Sequence, residues 1–130
     1  MDPGALHHLE LWVDDLDRAE RSYGWLLRRL GFSTDGRSAS SMSFAGPGYY
    51  VFFEAGPDRR LGHDRMRSGL NHIAFVAGSR ADVDAIVAEA PARGWTLMFA
   101  DRHPFAGGDD HYAAYLENDE GFEVELVAAP

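Results

Sequence analysis

The stretch Leu6-His7-His8-Leu9-Glu10-Leu11-Trp12-Val13 decides the fold, because it returns later in the chain as Leu70-Asn71-His72-Ile73-Ala74-Phe75-Val76-Ala77. Aligning the two stretches places His8 on His72 and sets hydrophobic residues on hydrophobic residues. The alternation within each stretch is typical of a half-buried β-strand. An internal repeat of this kind predicts two copies of one supersecondary unit.

A helix is predicted after each of these strands. Asp15 in the first copy and Ser79 in the second are residue types that cap helices, and hydrophobic residues then recur at helical spacing. Gly31 and Gly94 mark the two helix ends, and Pro91 should end or kink the second helix one turn early. The hydrophobic helix positions are Leu16, Ala19, Tyr23, Leu26, Leu30, Val83, Ile86, Val87 and Ala90.

Further strands are predicted after each helix, so both halves consist of a strand, a helix and then more strands. Neither copy buries enough hydrophobic surface to fold alone, which predicts a single domain over residues 1–130. Its first module covers about 5–55, a connector about 55–69, and its second module about 70–128. The later strands are predicted at 37–44, 49–54, 95–99, 112–118 and 122–127.

Composition excludes several kinds of chemistry. The chain has 130 residues and a net charge of −9, so a nucleic-acid partner is not expected. All 12 basic residues are arginine and cysteine is absent, which removes lysine Schiff bases, P-loop phosphate sites, thiolate nucleophiles and cysteine-ligated metals. No segment is long and hydrophobic enough for a membrane span and no secretory signal is evident, so we expect a cytoplasmic protein.

Two histidines and two glutamates occupy strand positions that face away from the predicted core. His8 and His72 alternate with the hydrophobic residues of their strands, and Glu54 and Glu125 do the same in the two later strands. If an approximate two-fold axis relates the halves, the four side chains converge. Two imidazoles and two carboxylates suit a divalent zinc, nickel, manganese, iron or cobalt ion.

Three segments together resemble the vicinal oxygen chelate superfamily, also called the glyoxalase, bleomycin resistance protein and dioxygenase superfamily. They are His8-Leu9-Glu10-Leu11-Trp12-Val13-Asp14-Asp15-Leu16 leading to Leu30-Gly31-Phe32, then Leu70-Asn71-His72-Ile73-Ala74-Phe75, and Asn118-Asp119-Glu120-Gly121-Phe122-Glu123-Val124-Glu125-Leu126. The resemblance covers nearly the whole chain. It implies an α+β fold of two βαβββ modules, whose eight strands form a curved, open mixed sheet with helices on its outer face.

The glyoxalase I branch of this family implies a metal held by His8, Glu54, His72 and Glu125. It also implies a lyase or isomerase reaction on a small substrate with vicinal oxygens, through a metal-stabilised enediolate. Glu125, or alternatively Glu54, would leave the metal and take a proton from carbon. Members of this size commonly form homodimers. Many glutathione-using glyoxalases have an arginine where this chain has Trp12.

Two other activities within the family stay open. Extradiol dioxygenases hold iron with two histidines and one carboxylate and place a tyrosine on the strand before the last ligand, where this chain has Tyr115. His111 is too close to Tyr115 in sequence to match their acid–base histidine, and Glu54 would be a surplus ligand. Bleomycin-binding members use an apolar cup without chemistry, for which the candidate lining residues are Trp12, Tyr50, Phe52, Phe99 and Phe105.

Arginines are concentrated in the connector, between Arg59 and Arg67. They could flank the mouth of the site together with the loop 101–111 and hold a substrate carboxylate or phosphate. A solvated linker that balances an acidic chain is the alternative interpretation of the same stretch.

Overall fold

The first unit is built on a four-stranded sheet. In the computed structural model, which describes residues 2–130, this unit ends at Gly62. Its strands are β1 (His8–Trp12), β2 (Ser33–Arg37), β3 (Ser41–Ala45) and β4 (Tyr50–Glu54). They are ordered β1-β4-β3-β2, with β1 parallel to β4 and the other neighbours antiparallel.

The predicted first helix is present, with a π-helical turn in its middle that the sequence pattern did not indicate. The Asp15 side chain accepts a hydrogen bond from the backbone N–H of Arg18, which confirms the predicted cap. Tyr23 is buried and packs on Phe53 of β4, with ring centroids 5.1 Å apart. The consecutive helical segments are α1 (Leu16–Ala19), the π turn (Glu20–Gly24) and α2 (Trp25–Arg29).

The second unit, His63–Pro130, repeats this arrangement. Its elements are β5 (Ile73–Gly78), α3 (Arg80–Glu89), β6 (Trp95–Leu97), β7 (Ala113–Asn118) and β8 (Glu123–Ala128). The strand order is β5-β8-β7-β6, with β5 parallel to β8. The α+β class and the two βαβββ modules are therefore confirmed, and the eight strands form two sheets of four.

Helix α3 begins and ends where its sequence predicts. Ser79 and Asp82 form a reciprocal capping box at its start. After Glu89 the chain continues as a 3₁₀ turn that contains Pro91, because proline cannot donate the next helical hydrogen bond. Gly94 closes the turn with a φ of 85°, a conformation that favours glycine.

The hydrophobic core of each unit lies between its helix and one face of its sheet. On β1, Leu11 is buried while His8 and Trp12 are exposed, as the alternation predicted. In the second unit, Val124 and Leu126 of β8 are fully buried on the side covered by α3. The opposite face of each sheet is consequently left for polar and aromatic side chains.

The strand predicted at 37–44 is wrong in its extent. Residues 38–40 form a turn, in which the Ser38 hydroxyl accepts hydrogen bonds from the backbone N–H groups of Ser40 and Ser41. β2 lies before this turn and is exposed along its whole length, so it carries no hydrophobic alternation that could have predicted it. No helix within residues 2–130 combines the length and hydropathy of a membrane-spanning segment.

Candidate functional site: a buried glutamate between two histidines

Glu125 is the centre of a polar cluster on the open face of the second sheet. Its side chain is buried, with the residue only 7% exposed, and two histidines of the second unit contact its carboxylate. Its Oε1 lies 3.2 Å from Nε2 of His72, and its Oε2 lies 2.5 Å from Nε2 of His111. Each carboxylate oxygen therefore has its own neighbouring imidazole nitrogen.

The β8 strand explains why Glu125 points to this face. Val124 and Leu126 on either side of it are packed toward α3, and alternate residues of a strand face opposite sides. Glu123 and Glu125 must then share the open face. Tyr115 on β7 lies directly opposite Glu125 in the antiparallel β7–β8 register. Both partners of this cross-strand pair were predicted as site residues.

Tyr115 is held in its neutral form by this environment. Its pKa is raised above the usual 10, first by burial and then by the charge of the Glu125 carboxylate on the neighbouring strand. The nearby charge of Glu123 acts in the same direction. The phenol is thus protonated and able to donate a hydrogen bond at neutral pH.

The loop between β6 and β7 covers this cluster closely. A Cβ atom placed on Gly107 would lie 2.5 Å from the Tyr115 hydroxyl oxygen and 2.7 Å from Cδ2 of His111. Phe99 packs edge-on against the Tyr115 ring, with centroids 5.6 Å apart. The expectation that loop 101–111 flanks the site therefore agrees with the contacts within the second unit.

His72 has two polar neighbours on its other side, Asn71 and Glu123. Its Nδ1 lies 2.6 Å from Oδ1 of Asn71 and 3.8 Å from Oε2 of Glu123. The Arg65 guanidinium makes a 3.2 Å ion pair with the buried Glu123 and a 3.0 Å ion pair with Glu117. Arg65 is therefore engaged by protein carboxylates and is not a free anion-binding group of the connector.

In the first unit, His8 lies on the open face as predicted. Its ring stacks on Tyr50, with centroids 4.8 Å apart and planes inclined by 6°. Its Nδ1 lies 2.9 Å from Nδ1 of His7, the preceding and equally exposed histidine. Within this unit His8 therefore contacts an aromatic ring and a second imidazole.

Glu54 does not lie beside His8. In the parallel β1–β4 register His8 is paired with Tyr50, whereas Glu54 is paired with Trp12, four residues further along. That is a separation of about 13 Å along the strands. The structure thus does not bring together the two metal ligands predicted in this unit.

The register also shows which residue of the first unit corresponds to Glu125. Glu125 is paired with Ala74, two residues after His72, and the equivalent pair in the first unit joins Phe52 to Glu10, two residues after His8. Phe52 is therefore the counterpart of Glu125, and the predicted equivalence of Glu54 with Glu125 does not hold. Within residues 2–130, no group of three or more His, Cys, Asp or Glu side chains is arranged to hold a metal ion.

His111 is the site residue that sequence reasoning missed. Its position in the sequence, close to Tyr115, makes it a poor match to a dioxygenase histidine and gives it no other role. The loop brings its Nε2 to Glu125 without any periodic pattern that a strand or helix would show. Its only sequence signal is its place in the loop that was expected to border the site.

Three comparisons with known proteins agree with this fold. Residues 7–115 match the glyoxalase/bleomycin resistance protein/dioxygenase superfamily. The protein YqjT of Bacillus subtilis (strain 168) is 39% identical over 125 residues, which are 95% of this chain and 98% of that protein. The family match over residues 7–115 includes both repeated strands, β1 and β5, and most of the second unit.

Solved structures extend the likeness to three dimensions. A candidate glyoxalase from Bacillus halodurans superposes with a TM-score of 0.92 at 37% identity, covering 98% of this chain and 97% of that one. The lactoylglutathione lyase of Agrobacterium tumefaciens has a TM-score of 0.66 at 21% identity over 99% and 96% of the two chains, a likeness of fold alone. The chain therefore belongs to the glyoxalase/bleomycin resistance protein/dioxygenase superfamily.

Proposed function

We propose that this chain is a metal-dependent enzyme of the glyoxalase I type, which acts on a small substrate with vicinal oxygens at the Glu125 cluster. The observation that carries the proposal is the pair of contacts at Glu125, one imidazole nitrogen on each carboxylate oxygen. A buried carboxylate so placed can accept a proton from a carbon acid and be restored through a neighbouring group.

The donor atoms of the second unit fit a divalent metal ion in their chemistry. Nε2 of His72 and Oε1 of Glu125 are 3.2 Å apart, and imidazole nitrogen with carboxylate oxygen is a donor pair that zinc and related ions take. His72 and Glu125 would hold the ion. His8 is a further predicted ligand on sequence grounds, whereas the register of β4 does not favour Glu54.

When bound, the ion would polarise the vicinal oxygens of the substrate and so acidify the neighbouring C–H bond. Glu125 would accept a proton from one carbon at Oε2, the oxygen that faces His111, and would return a proton to the neighbouring carbon to complete the isomerisation. The His111 side chain is 40% exposed, so its ring can exchange that proton with solvent. Tyr115 would orient the carboxylate by donating its hydroxyl hydrogen.

A ring-cleaving dioxygenase is the second candidate, and one observation favours it. Two imidazoles, of His72 and His111, meet one carboxylate, and Tyr115 lies opposite that carboxylate in register. Such a group of two histidines and one carboxylate has the composition of non-haem iron sites. A third candidate, binding without chemistry, would use exposed rings of the second unit, Phe99 and Phe105.

A metal-loading and turnover screen separates the three. The purified protein is analysed for metal, reloaded with Zn²⁺, Ni²⁺, Mn²⁺, Co²⁺ or Fe²⁺, and assayed with hemithioacetals and with catechols. We expect isomerisation of a hemithioacetal that is lost in Glu125→Gln. Ring cleavage of a catechol with Fe²⁺ would favour the dioxygenase, and a protein that takes up no metal and turns over neither substrate class would refute both enzymes.

The homodimer and the cytoplasmic location stay predictions. Each four-stranded sheet has edge strands, and a symmetric partner could cover such an edge. Light scattering of the metal-loaded protein measures the assembly directly. A monomer at the concentration used for assays would contradict the dimer without affecting the proposed chemistry.

A further inference from the structure

We propose that Asn71 is a positioning residue that fixes the tautomer of His72, so that Nε2 of the ring presents a lone pair toward Glu125. The proposal deepens the function proposed above and rests on it for the role of His72. It is argued from four groups around one imidazole: Asn71, Arg65, Glu123 and Glu125. Asn71 touches no reacting atom, so its influence passes through His72.

The orientation of the Asn71 amide is determined by its second partner. Nδ2 of Asn71 donates a hydrogen bond to the backbone carbonyl of Arg65 at 3.2 Å. The reversed amide would set its oxygen against that carbonyl oxygen, and two acceptors repel each other. Oδ1 must therefore be the amide atom that lies 2.6 Å from Nδ1 of His72.

An amide oxygen only accepts hydrogen bonds, so Nδ1 of His72 carries the hydrogen. In a neutral imidazole the hydrogen on Nδ1 leaves Nε2 with a lone pair. That lone pair points at Oε1 of Glu125, 3.2 Å away. Two acceptors at this distance are stable only with a cation or a proton between them, which is the condition a metal ligand must meet.

Arg65 makes Asn71 the acceptor in place of Glu123. The Arg65 guanidinium holds the Glu123 carboxylate in a 3.2 Å ion pair, and the nearest Glu123 oxygen stays 3.8 Å from Nδ1 of His72. That distance exceeds a hydrogen bond. Arg65 thus fixes the Asn71 amide through its backbone carbonyl and pairs with the Glu123 carboxylate through its guanidinium.

The test uses a matched pair of variants at an exposed position. Asn71→Leu removes the acceptor, whereas Asn71→Asp keeps an acceptor oxygen for Nδ1–H and, like Asn71→Leu, gives up the hydrogen bond to the Arg65 carbonyl. The tautomer of His72 is read from its ¹⁵N ring shifts in the metal-free full chain carrying Glu125→Gln, at a pH where the ring is neutral. The neutral Gln amide does not draw a proton onto Nε2 as the carboxylate does in the absence of metal. A His72→Gln variant assigns the signals, and thermal unfolding checks that each variant is folded.

In the Glu125→Gln background we expect the Nδ1–H tautomer with Asn71 and with Asn71→Asp, and a mixture with the Nε2–H form with Asn71→Leu. Zn²⁺ affinity of the same Asn71 variants with Glu125 in place, measured by calorimetry, should fall about 10- to 100-fold in Asn71→Leu and far less in Asn71→Asp. An Nε2–H tautomer with Asn71 in place, or an unchanged tautomer in Asn71→Leu, overturns the proposal.

The tautomer and the proposed function fail separately. An Nδ1–H tautomer in the Glu125→Gln background, together with a wild-type protein that binds no Zn²⁺ and has no turnover, would refute the enzyme and leave the role of Asn71 standing. A functional metalloenzyme in which Asn71→Leu keeps both the tautomer and the Zn²⁺ affinity would refute Asn71 alone.

Discussion

Glu125 and Tyr115 lie directly opposite each other across the β7–β8 pair, where burial and the carboxylate charge raise the pKa of the phenol. The pair lies on the sheet face opposite α3, where His72 and His111 also reach Glu125. Cross-strand neighbours have Cβ atoms about 5 Å apart, so the rigid sheet sets their separation. The arrangement makes Glu125 the residue through which substitutions around the site should act.

Glu125→Gln and Glu54→Gln should differ sharply in their effect on catalysis. The first removes the buried base, so kcat should fall by about 10²- to 10⁴-fold while the fold persists. The second alters a half-buried side chain that pairs with Trp12 and lies away from His8, so we expect most of the turnover to remain.

Steady-state kinetics of the metal-loaded variants, with the substrate found in the screen, make this comparison. Zn²⁺ titration of the same two proteins checks the binding role independently. An equal loss of turnover and Zn²⁺ affinity in both variants would restore Glu54 to the metal ligands that the sequence predicted. Near-normal turnover by Glu125→Gln would show that Glu125 is not the base.

Gly107→Ala should disturb the site without touching its ligands. The new methyl group would lie 2.5 Å from the Tyr115 hydroxyl and 2.7 Å from His111, so both side chains must move away from it. We expect a lower kcat with little change in Tm, because the loop is exposed and the displaced atoms are side-chain ends.

Gly36→Ala is the matched control for this substitution. Gly36 lies on β2, and among residues 2–130 no atom comes within 4 Å of the place that its new methyl group would take. Its kinetics should equal those of wild type, because the added methyl group contacts no neighbouring atoms there. If Gly107→Ala also matches wild type, the loop does not constrain Tyr115 or His111 during turnover.

The sequence predicted which face each site residue occupies, and it did so through alternation. Glu125 lies between two hydrophobic residues of a strand, and that pattern fixes its side of the sheet. Alternation does not fix how two strands slide past each other. Register depends on turns and ladder hydrogen bonds, so Glu54 was assigned the right face and the wrong neighbour.

His111 and Asn71 were beyond the reach of such patterns for a different reason. His111 comes from a loop whose path is set by its own turns, including a hydrogen bond from its backbone N–H to the Gly108 carbonyl. The importance of Asn71 appears only when its two hydrogen-bond partners are known. Periodicity reports burial, whereas these roles depend on the contacts of single polar atoms.

Arg65→Met should destabilise the protein far more than Arg67→Met. Arg65 neutralises Glu123, which is 7% exposed, and removing one partner of a buried ion pair costs about 3 kcal/mol. Arg67 pairs with Asp64 at the surface, with its side chain 83% exposed, so its loss should cost less than about 0.5 kcal/mol. Urea unfolding at neutral pH measures both.

The double variant Arg65→Met with Glu123→Leu identifies the cause. It removes the Glu123 charge that Arg65→Met alone leaves buried and unpaired, so much of the lost free energy of unfolding should return. If the single and double variants are equally unstable, Arg65 acts by packing or through Glu117 and not through Glu123. If Arg65→Met is as stable as Arg67→Met, the connector is the solvated linker that its composition also suggested.

His63→Phe should flatten the dependence of stability on acidity. The His63 ring stacks on Phe122, with centroids 4.1 Å apart and planes inclined by 2°. Burial lowers the pKa of His63 below its usual 6.5, outweighing the opposite effect of Asp64. The unfolded chain then binds a proton more readily than the folded one, so stability present above pH 6.5 is lost as the pH falls through the lowered value.

Phenylalanine keeps the stacking surface and cannot be protonated, so the variant should retain its stability between about pH 7 and pH 5 better than wild type. Nε2 of His63 is buried without a hydrogen-bond partner among residues 2–130, so the variant should also be no less stable at neutral pH.

The control is His7→Phe, which changes an exposed histidine. Urea unfolding across this pH range gives the three curves. Parallel curves for wild type and His63→Phe would mean that His63 titrates alike in the folded and unfolded states, whereas curves that separate only as the pH falls would confirm the buried, neutral ring.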